Sequence, residues 1–526
     1  MTKTSSQKQT DANAVPAKIG MPIGKSFLYL TVTLSGGAVM ILELLGTRII
    51  GPFYGVSLYV WSSLIAVTLI ALALGYYIGG YLADRFAGVR LAHAILLAAL
   101  SIVLIPSISG PILRFTDPLG IRAGAFAAAL LLFTLPLTAL AMVGPLVIKL
   151  ATRDLRAVGT AAGSVYAVST VGSVLGTLLL GFYLLPQFGT RAILYCLSLV
   201  MLVLAALLVL ADQQGFAKPV SSVPVLIVAV LAAILTATGY ASTSREVNGF
   251  KVLHETESIY GWVRVVDDQS HGFRLLLSDA SVLSAMDIAH GTSLLGYRSV
   301  LGLLPVFRPQ ADQALLIGLG GGHVARDLKS KGIATDTIEI DPAVAEAARH
   351  YFNFEPTGDY IVGDARYEIK RLGKRYDFII HDCFTGGSEP THLLTVEMLR
   401  ELQGLLKQDG VVALNYVGFM AGEGAAAVAS VFKTLKSVFP HSRVFITEKT
   451  EMTDFIFLAS AEALELDASS QDYRVQWLLA HAYPLADSGG IVVTDNYNPM
   501  ESLQVRKAET YRKQFMERIA YELLLR

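Results

Sequence analysis

Between residues 27 and about 241 the chain is a succession of apolar runs, each long enough to cross a bilayer at roughly 20 residues per helix. The runs fall near 27–47, 58–82, 91–110, 123–150, 159–185, 191–211 and 221–241, which predicts about seven spans. Composition agrees. The 526 residues are 53% hydrophobic and 16% charged, with a mean hydropathy of +0.52. A soluble globular chain is nearer a quarter charged, so part of this one is expected in lipid. Small residues recur at four-residue spacing, as Gly75 and Gly79, Gly159 and Gly163, Gly172 and Gly176. Such pairs let helix backbones approach closely. Glu43 lies within an apolar run with Arg48 five residues on. Ionisable groups in lipid mark function or a partner, so both are membrane-domain candidates beside a plainer structural contact.

From about Ser244 the composition changes. Charges become dense and apolar runs shorten to strand length: "ALLIGLG", "DTIEIDP", "YIVGDA", "YDFIIHDC", "GVVALNYV", "RVFITE" and "DFIFLAS". Helical stretches such as "PAVAEAARHYF" and "LTVEMLRELQGLLKQ" lie between several of them. That alternation predicts a parallel sheet with helices on both faces, an α/β Rossmann-like domain. The division expected is a disordered tail over 1–25, a multi-pass α-helical domain over 26–243, a small β-rich unit over 244–310 and the α/β domain over 311–526. The polar N-terminus has no apolar core of its own and does not read as a signal peptide. A formal net charge of -1 gives no reason to expect nucleic acid. Two cysteines, Cys196 and Cys383, supply neither a disulfide framework nor a metal cluster, and no metal is expected.

The soluble half holds one glycine-dense turn, "ALLIGLGGGHVARDL", a buried strand followed by a helix start. Gly318, Gly320 and Gly322 take the places of a nucleotide-binding turn, with His323 where a third glycine or alanine would complete a dinucleotide fingerprint. The next strand ends in Glu339-Ile340-Asp341, where an acidic side chain can hydrogen-bond ribose hydroxyls. The third ends at Asp364 and Ala365, an acceptor for an adenine amino group with backbone that would shape the purine slot. The fourth ends at Asp382, on the carboxyl edge where open α/β sheets bind ligands. Each acid alone reads equally well as a helix N-cap. A nicotinamide dinucleotide leaves Asp364 without a role, whereas S-adenosylmethionine or a close relative uses all four strand ends.

In the order of its motifs, from "SIYGWVRVVDD" through "LLLSDASVLSAMD", "YRSVLGLLPVF", "LLIGLGGGHVARDL", "IEIDPAVAEAARHYF", "VGDARYEI" and "YDFIIHDCF" to "LKQDGVVALNY", the soluble half resembles the spermidine synthase family of polyamine aminopropyltransferases. The segments "LELLGTRIIGPFYGVSLYVWSS" and "GYYIGGYLADR" resemble the multi-span region fused to many bacterial relatives. The resemblance implies that Glu339 holds the ribose, Asp364 the adenine, and that Asp382 deprotonates the attacking amine. Substrate-side candidates are Tyr260, Tyr297, Arg298 and Thr385. Here the sequence departs from the family pattern. Gly321 stands where the family has an aspartate for the donor's aminopropyl arm, Thr385 replaces a second acceptor-binding aspartate, and Tyr297-Arg298 replaces a Tyr-Gln pair. A donor that keeps its carboxylate, S-adenosylmethionine itself, would suit Arg298.

The function expected is therefore membrane-bound alkyl (aminopropyl) transfer from S-adenosylmethionine or its decarboxylated form to an amine. Alternatives are a methyl- or aminocarboxypropyl-transferase or lyase using intact S-adenosylmethionine, and a transporter or sensor with a nucleoside-binding domain. Positioning the nucleophile supplies most of the rate in such chemistry, and one carboxylate, Asp382, suffices as base. His381 and Cys383 flank it and are expected to point to the other face as packing. Near the C-terminus "VVTDNYNPME" offers Asp495 and Tyr497 on a polar loop that could cap the acceptor. Partners expected are a small-molecule amine or membrane-soluble acceptor, the lipid bilayer and, as an open option, a second copy in a homodimer. Basic residues favour an internal N-terminus, which with seven spans places the soluble domain outside, away from a donor made in the cytosol. We expect the cell (inner) membrane with a cytoplasmic catalytic domain, which requires one span fewer or more.

Overall fold

The computed structural model describes residues 24–55, 57–85, 91–152, 157–212, 246–384, 387–486, 488–519 and 521–524. The expected tail, the run 221–241 and Thr385 lie outside these residues. Five described segments are long and apolar enough to cross a membrane, against the seven runs expected. The runs 91–110 and 123–150 merge into one segment, Leu91–Ala151, and 221–241 is not described. Within that segment α3 (Leu91–Thr116) and α4 (Gly120–Ala141) are separated by a short turn at Asp117–Leu119 and pack on each other. Gly120, at φ +75°, takes the left-handed backbone that lets the chain reverse there. A second interruption comes at Met142, before α5 (Val143–Ala151).

The other long helices are α1 (Lys25–Tyr54), α2 (Leu58–Arg85), α6 (Val158–Leu179) and α7 (Thr190–Asp212). Two of the three glycine pairs explain their packing. A Cβ on Gly172 would lie 2.1 Å from the Thr33 carbonyl oxygen of α1, and one on Gly75 would lie 2.5 Å from that of Thr138 on α4. A Cβ on Gly159 or Gly163 would meet nothing within 4 Å among the described residues, so that pair packs against no described helix. Glu43 hydrogen-bonds Thr68 of α2. Arg48 leaves the helical domain altogether, donating from Nη1 to the Ser258 carbonyl at 3.1 Å and from Nη2 to that of Ile259.

Five strands, β1 (Glu246–Val247), β2 (Phe250–Glu257), β3 (Trp262–Asp268), β4 (Phe273–Ser278) and β5 (Ser281–Asp287), form an antiparallel meander. The seven sequence-predicted strands follow as β6 (Gln313–Ile317), β7 (Ala334–Glu339), β8 (Tyr360–Val362), β9 (Tyr376–His381), β10 (Leu406–Phe419), β11 (His441–Ile446) and β12 (Met452–Ser460). All seven join one sheet in the order β11-β12-β10-β9-β6-β7-β8. It is mixed rather than wholly parallel, because β12 runs antiparallel to both β10 and β11. The turn between β11 and β12 is too short for the crossover that parallel pairing needs. Leu315 and Ile317 of β6 enter the core on one face, Ala314 and Leu316 that on the other. That two-sided burial is why its sequence reads as an unbroken apolar run. The helices that matter below are α8 (His323–Lys329), α9 (Pro342–Tyr351), α10 (Val396–Leu405), α11 (Ala425–Lys436) and α12 (Val505–Arg518).

Candidate active site

The chain goes from β6 outward to β7 and β8, then returns to β9 on the other side of β6. That reversal opens a crevice at the carboxyl ends of β6 and β9, the position where such sheets take ligands. A cavity of about 450 Å³ sits there. Gly318 and Asp382 end the two strands, and the Asp382 amide donates to the Ile317 carbonyl at 2.8 Å. Gly318 has φ +88°, and a Cβ on it would fall 2.2 Å from the Asp382 carbonyl oxygen. Only glycine fits between the strands at this point.

One wall of the cavity is formed by Gly318, Gly320, Glu339, Asp364, Ala365 and Cys383. Glu339 accepts from the Leu319 amide at 2.9 Å and the Asp341 amide at 3.0 Å, one on each carboxylate oxygen. Each oxygen keeps a lone pair for a further donor such as a hydroxyl. Burial raises its pKa against the pull of those amides. Asp364 caps the short helix at Ala365–Glu368 through the Tyr367 amide at 3.0 Å, with its side chain half-exposed. Asp341 is buried off the cavity wall, where it accepts from the Ala343 amide as the N-cap of α9 and from the Ser258 hydroxyl at 2.7 Å. Gly322 also lies off the wall, as the N-cap of α8 against Phe354.

Asp382 stands at the centre. Asn415 Nδ2 donates to its Oδ1 at 3.0 Å and the Tyr297 phenol donates to it as well. Burial raises the Asp382 pKa, while these two bonds restrain the rise. The Tyr297 phenol is pushed well above its ordinary pKa by burial and the Asp382 charge, so it is a donor throughout the usual pH range. Among the described residues, buried Asn415 Oδ1 has no hydrogen-bond partner. Cys383 lines the cavity instead of pointing away, because the strand ends at His381 and its alternation ends with it. Its thiol is held well above the ordinary pKa by burial and the carboxylates around it. His381 is fully buried packing, as expected, and His323 is buried too, its Nδ1 2.9 Å from Arg326 Nη2. Burial lowers the pKa of both imidazoles to about 4.

The opposite wall is largely one that the motifs did not disclose. Asp454, at the start of β12, lines it together with Tyr511, Gln514 and Arg518 of α12. Burial and the nearby charges of Asp382, Glu389 and Glu448 raise the Asp454 pKa to about 7. A polar residue interrupting an apolar strand was the available signal, for Asn415 in "VVALNYV" and Asp454 in "TDFIFLAS". Four substrate-side candidates lie elsewhere. Arg298 is taken by Asp327 and does not line the cavity. Asp495 pairs with Arg366 at 2.7 Å, bracing the helix that follows Asp364. Tyr497 is 64% exposed on its loop, and Tyr260 is 41% exposed beside Asp341 and Asp364. The "VVTDNYNPME" loop therefore braces the helix that follows Asp364 and supplies no residue to the cavity lining. Among the described residues no group of three or more His, Cys, Asp or Glu side chains could hold a metal ion.

The fold and site define a doubly wound nucleoside-type crevice with a carboxylate at its switch point. Residues 295–461 match the model of the spermine/spermidine synthase domain. Residues 295–461 are thus similar to a spermine/spermidine synthase domain, and among the described residues five long apolar segments precede them. The chain is 36% identical over 220 residues to an N-terminal histidine N-methyltransferase of Emericella nidulans, covering 38% of this chain and 39% of that protein. It is 43% identical over 124 residues to a polyamine aminopropyltransferase of Vibrio vulnificus, covering 22% of this chain and 41% of that one. It thus spans about two fifths of the length of both curated relatives. Among solved structures it is similar to the spermidine synthase of Thermotoga maritima, at 22% identity and a TM-score of 0.36, over 43% of this chain and 78% of that one.

Proposed function

We propose that the chain is a membrane-embedded transferase that moves an alkyl group from an adenosyl sulfonium donor to an amine. The observation that carries this reading is Asp382 at the switch point, bonded by Tyr297 and Asn415 and flanked by the Glu339–Asp364 wall on one side and Asp454 on the other. Glu339 would hold the ribose with its free lone pairs and Asp364 the adenine edge, while Gly318 and Gly320 leave room for the nucleoside. The donor supplies an electrophilic carbon, whose bond to sulfur breaks as the amine nitrogen bonds to it. Asp382 takes the proton from that nitrogen, and the Tyr297 and Asn415 bonds hold its carboxylate in one orientation. The outward faces of the long helices carry Leu69, Leu175 and Leu210, each more than half exposed, which fits a lipid surround.

The methyl group of intact S-adenosylmethionine is the first candidate for transfer. The similarity to an N-terminal histidine N-methyltransferase supports it. So does Gly321, which brings no carboxylate to grip an aminopropyl amine. Aminopropyl transfer is the second reading, supported by the 43% identity to a polyamine aminopropyltransferase. Mass spectrometry of products separates them. The full chain is incubated with a histidine-initiated peptide and S-adenosylmethionine, or with putrescine and the decarboxylated donor. Methylated peptide supports the first reading and spermidine the second. Failure to bind either donor, or tighter binding of NADH, overturns both.

A further inference from the structure

Helix α12 has two working faces. Tyr511, Gln514 and Arg518, at the i, i+3 and i+7 spacing of one helical stripe, line the cavity. Tyr511 is fixed there by its ring edge against Phe384, 5.0 Å between centroids, and by its hydroxyl, which accepts from the Val282 amide at 3.2 Å. Its chain neighbour Arg512 points the other way, into the helical domain. The Arg512 Nη1 donates to Asp117 Oδ1 at 2.7 Å, and the guanidinium lies 5.1 Å from the ring centroid of Phe53 and 5.3 Å from that of Tyr54. Asp117 occupies the turn between α3 and α4, so one arginine joins α12 to the ends of three helices. Phe515 and Ile519 belong to the same apolar cluster as Phe53 and Tyr54. At the other end of the helix, buried Lys507 pairs with Glu389 and lies 4.0 Å from the Tyr416 ring centroid, which ties the first turn of α12 to the sheet.

Gly318, Glu339 and Asp364 instead hang from the strands of one sheet, and the helical domain reaches that side through Arg48, whose guanidinium donates to the Ser258 and Ile259 carbonyls beside Asp341. We propose that Arg512 is a positioning residue through which the helical domain holds the acceptor wall in place, so that the apolar helices are a structural part of acceptor binding and not only an anchor. The proposal rests on reading the cavity's α12 side as the acceptor side. A partly buried guanidinium with a carboxylate and two aromatic rings around it has a single well-defined seat, which a lysine fills only in part. Loss of that seat frees the last two turns of α12 and leaves the sheet edge untouched.

The test uses the full-length chain in lipid nanodiscs, with Arg512→Ala, Asp117→Asn and Arg512→Lys. Calorimetry with S-adenosylhomocysteine reports the donor side and the integrity of the fold. Turnover is followed with whichever acceptor and donor pair the product assay identifies, and hydrogen exchange is read over residues 505–519 and 318–324. We expect unchanged donor affinity, an acceptor KM raised about tenfold with kcat within about threefold, and faster exchange confined to 505–519 in the first two variants. Arg512→Lys should recover part of the KM. Unchanged acceptor KM and unchanged exchange in both variants overturn the proposal, as does an equal loss on the donor side. The exchange measurement needs no turnover, so it decides the role of Arg512 even if the reaction itself has been misread.

Discussion

The two walls of the cavity are built by opposite strategies. The wall proposed for the donor comes from four consecutive strand ends, within residues 318–383, each placed by the parallel part of one sheet. The wall proposed for the acceptor gathers Tyr297, Asn415, Asp454 and α12 from segments more than two hundred residues apart, and part of it is braced against a different domain. A wall hung on one sheet can be conserved in geometry while the other is rebuilt around it. This is how one doubly wound fold serves several transfers, and why the site must be argued from its own residues.

The sharpest way to break this comparison is Asp382→Asn, which belongs to both walls at once. It keeps the side chain's size but cannot take a proton, so kcat should fall about a thousandfold while donor affinity holds. Substantial turnover at donor saturation would remove Asp382 from the base role. Next in size is Glu339→Gln, which keeps one acceptor oxygen and loses the other. Donor binding measured by calorimetry should weaken about tenfold to a hundredfold, with acceptor KM unmoved at saturating donor.

On the other wall, Asp454→Asn should raise the acceptor KM about tenfold for a cationic amine and leave donor affinity unchanged. The effect should depend on pH. With its pKa raised to about 7, Asp454 loses its charge as pH falls through that value, so wild-type acceptor affinity should weaken on the acid side. The variant's KM should lack that inflection; an identical profile would take Asp454 off the acceptor. Stability has the opposite sign. A carboxyl raised from 3.8 to about 7 on folding contributes stability that is fully present below about pH 4 and lost as pH rises through 7. Asp454→Asn should therefore melt a few degrees above wild type at pH 8 and alongside it at pH 4. The smallest effect expected is Tyr497→Ala, within about twofold on either KM, because the side chain is exposed on a loop away from the cavity. A larger loss would return the "VVTDNYNPME" loop to the acceptor side.

The sequence by itself determined the apolar helices and the strand ends that form one wall of the cavity. Apolar runs of bilayer length, strands buried on both faces and a glycine turn followed by acidic strand ends are all local patterns, each set by the period of one element. Gly318, Glu339, Asp364 and Asp382 were therefore legible where they stand. The pattern could not show that Asp341 serves as a helix cap, because an N-cap and a ligand-binding acid at a strand end look alike in one dimension. Nor could it show that Arg298 pairs with Asp327, or that Asp454 faces Asp382 across β10. Those facts depend on which strands become neighbours, and β12 reaches its place only by running antiparallel beside β10. Arg512 shows the same limit most plainly. Its sequence neighbourhood, "AETYRKQF", reads as an ordinary charged helix, and only the docking of two domains turns one of its cations toward Asp117 while its neighbours line the cavity.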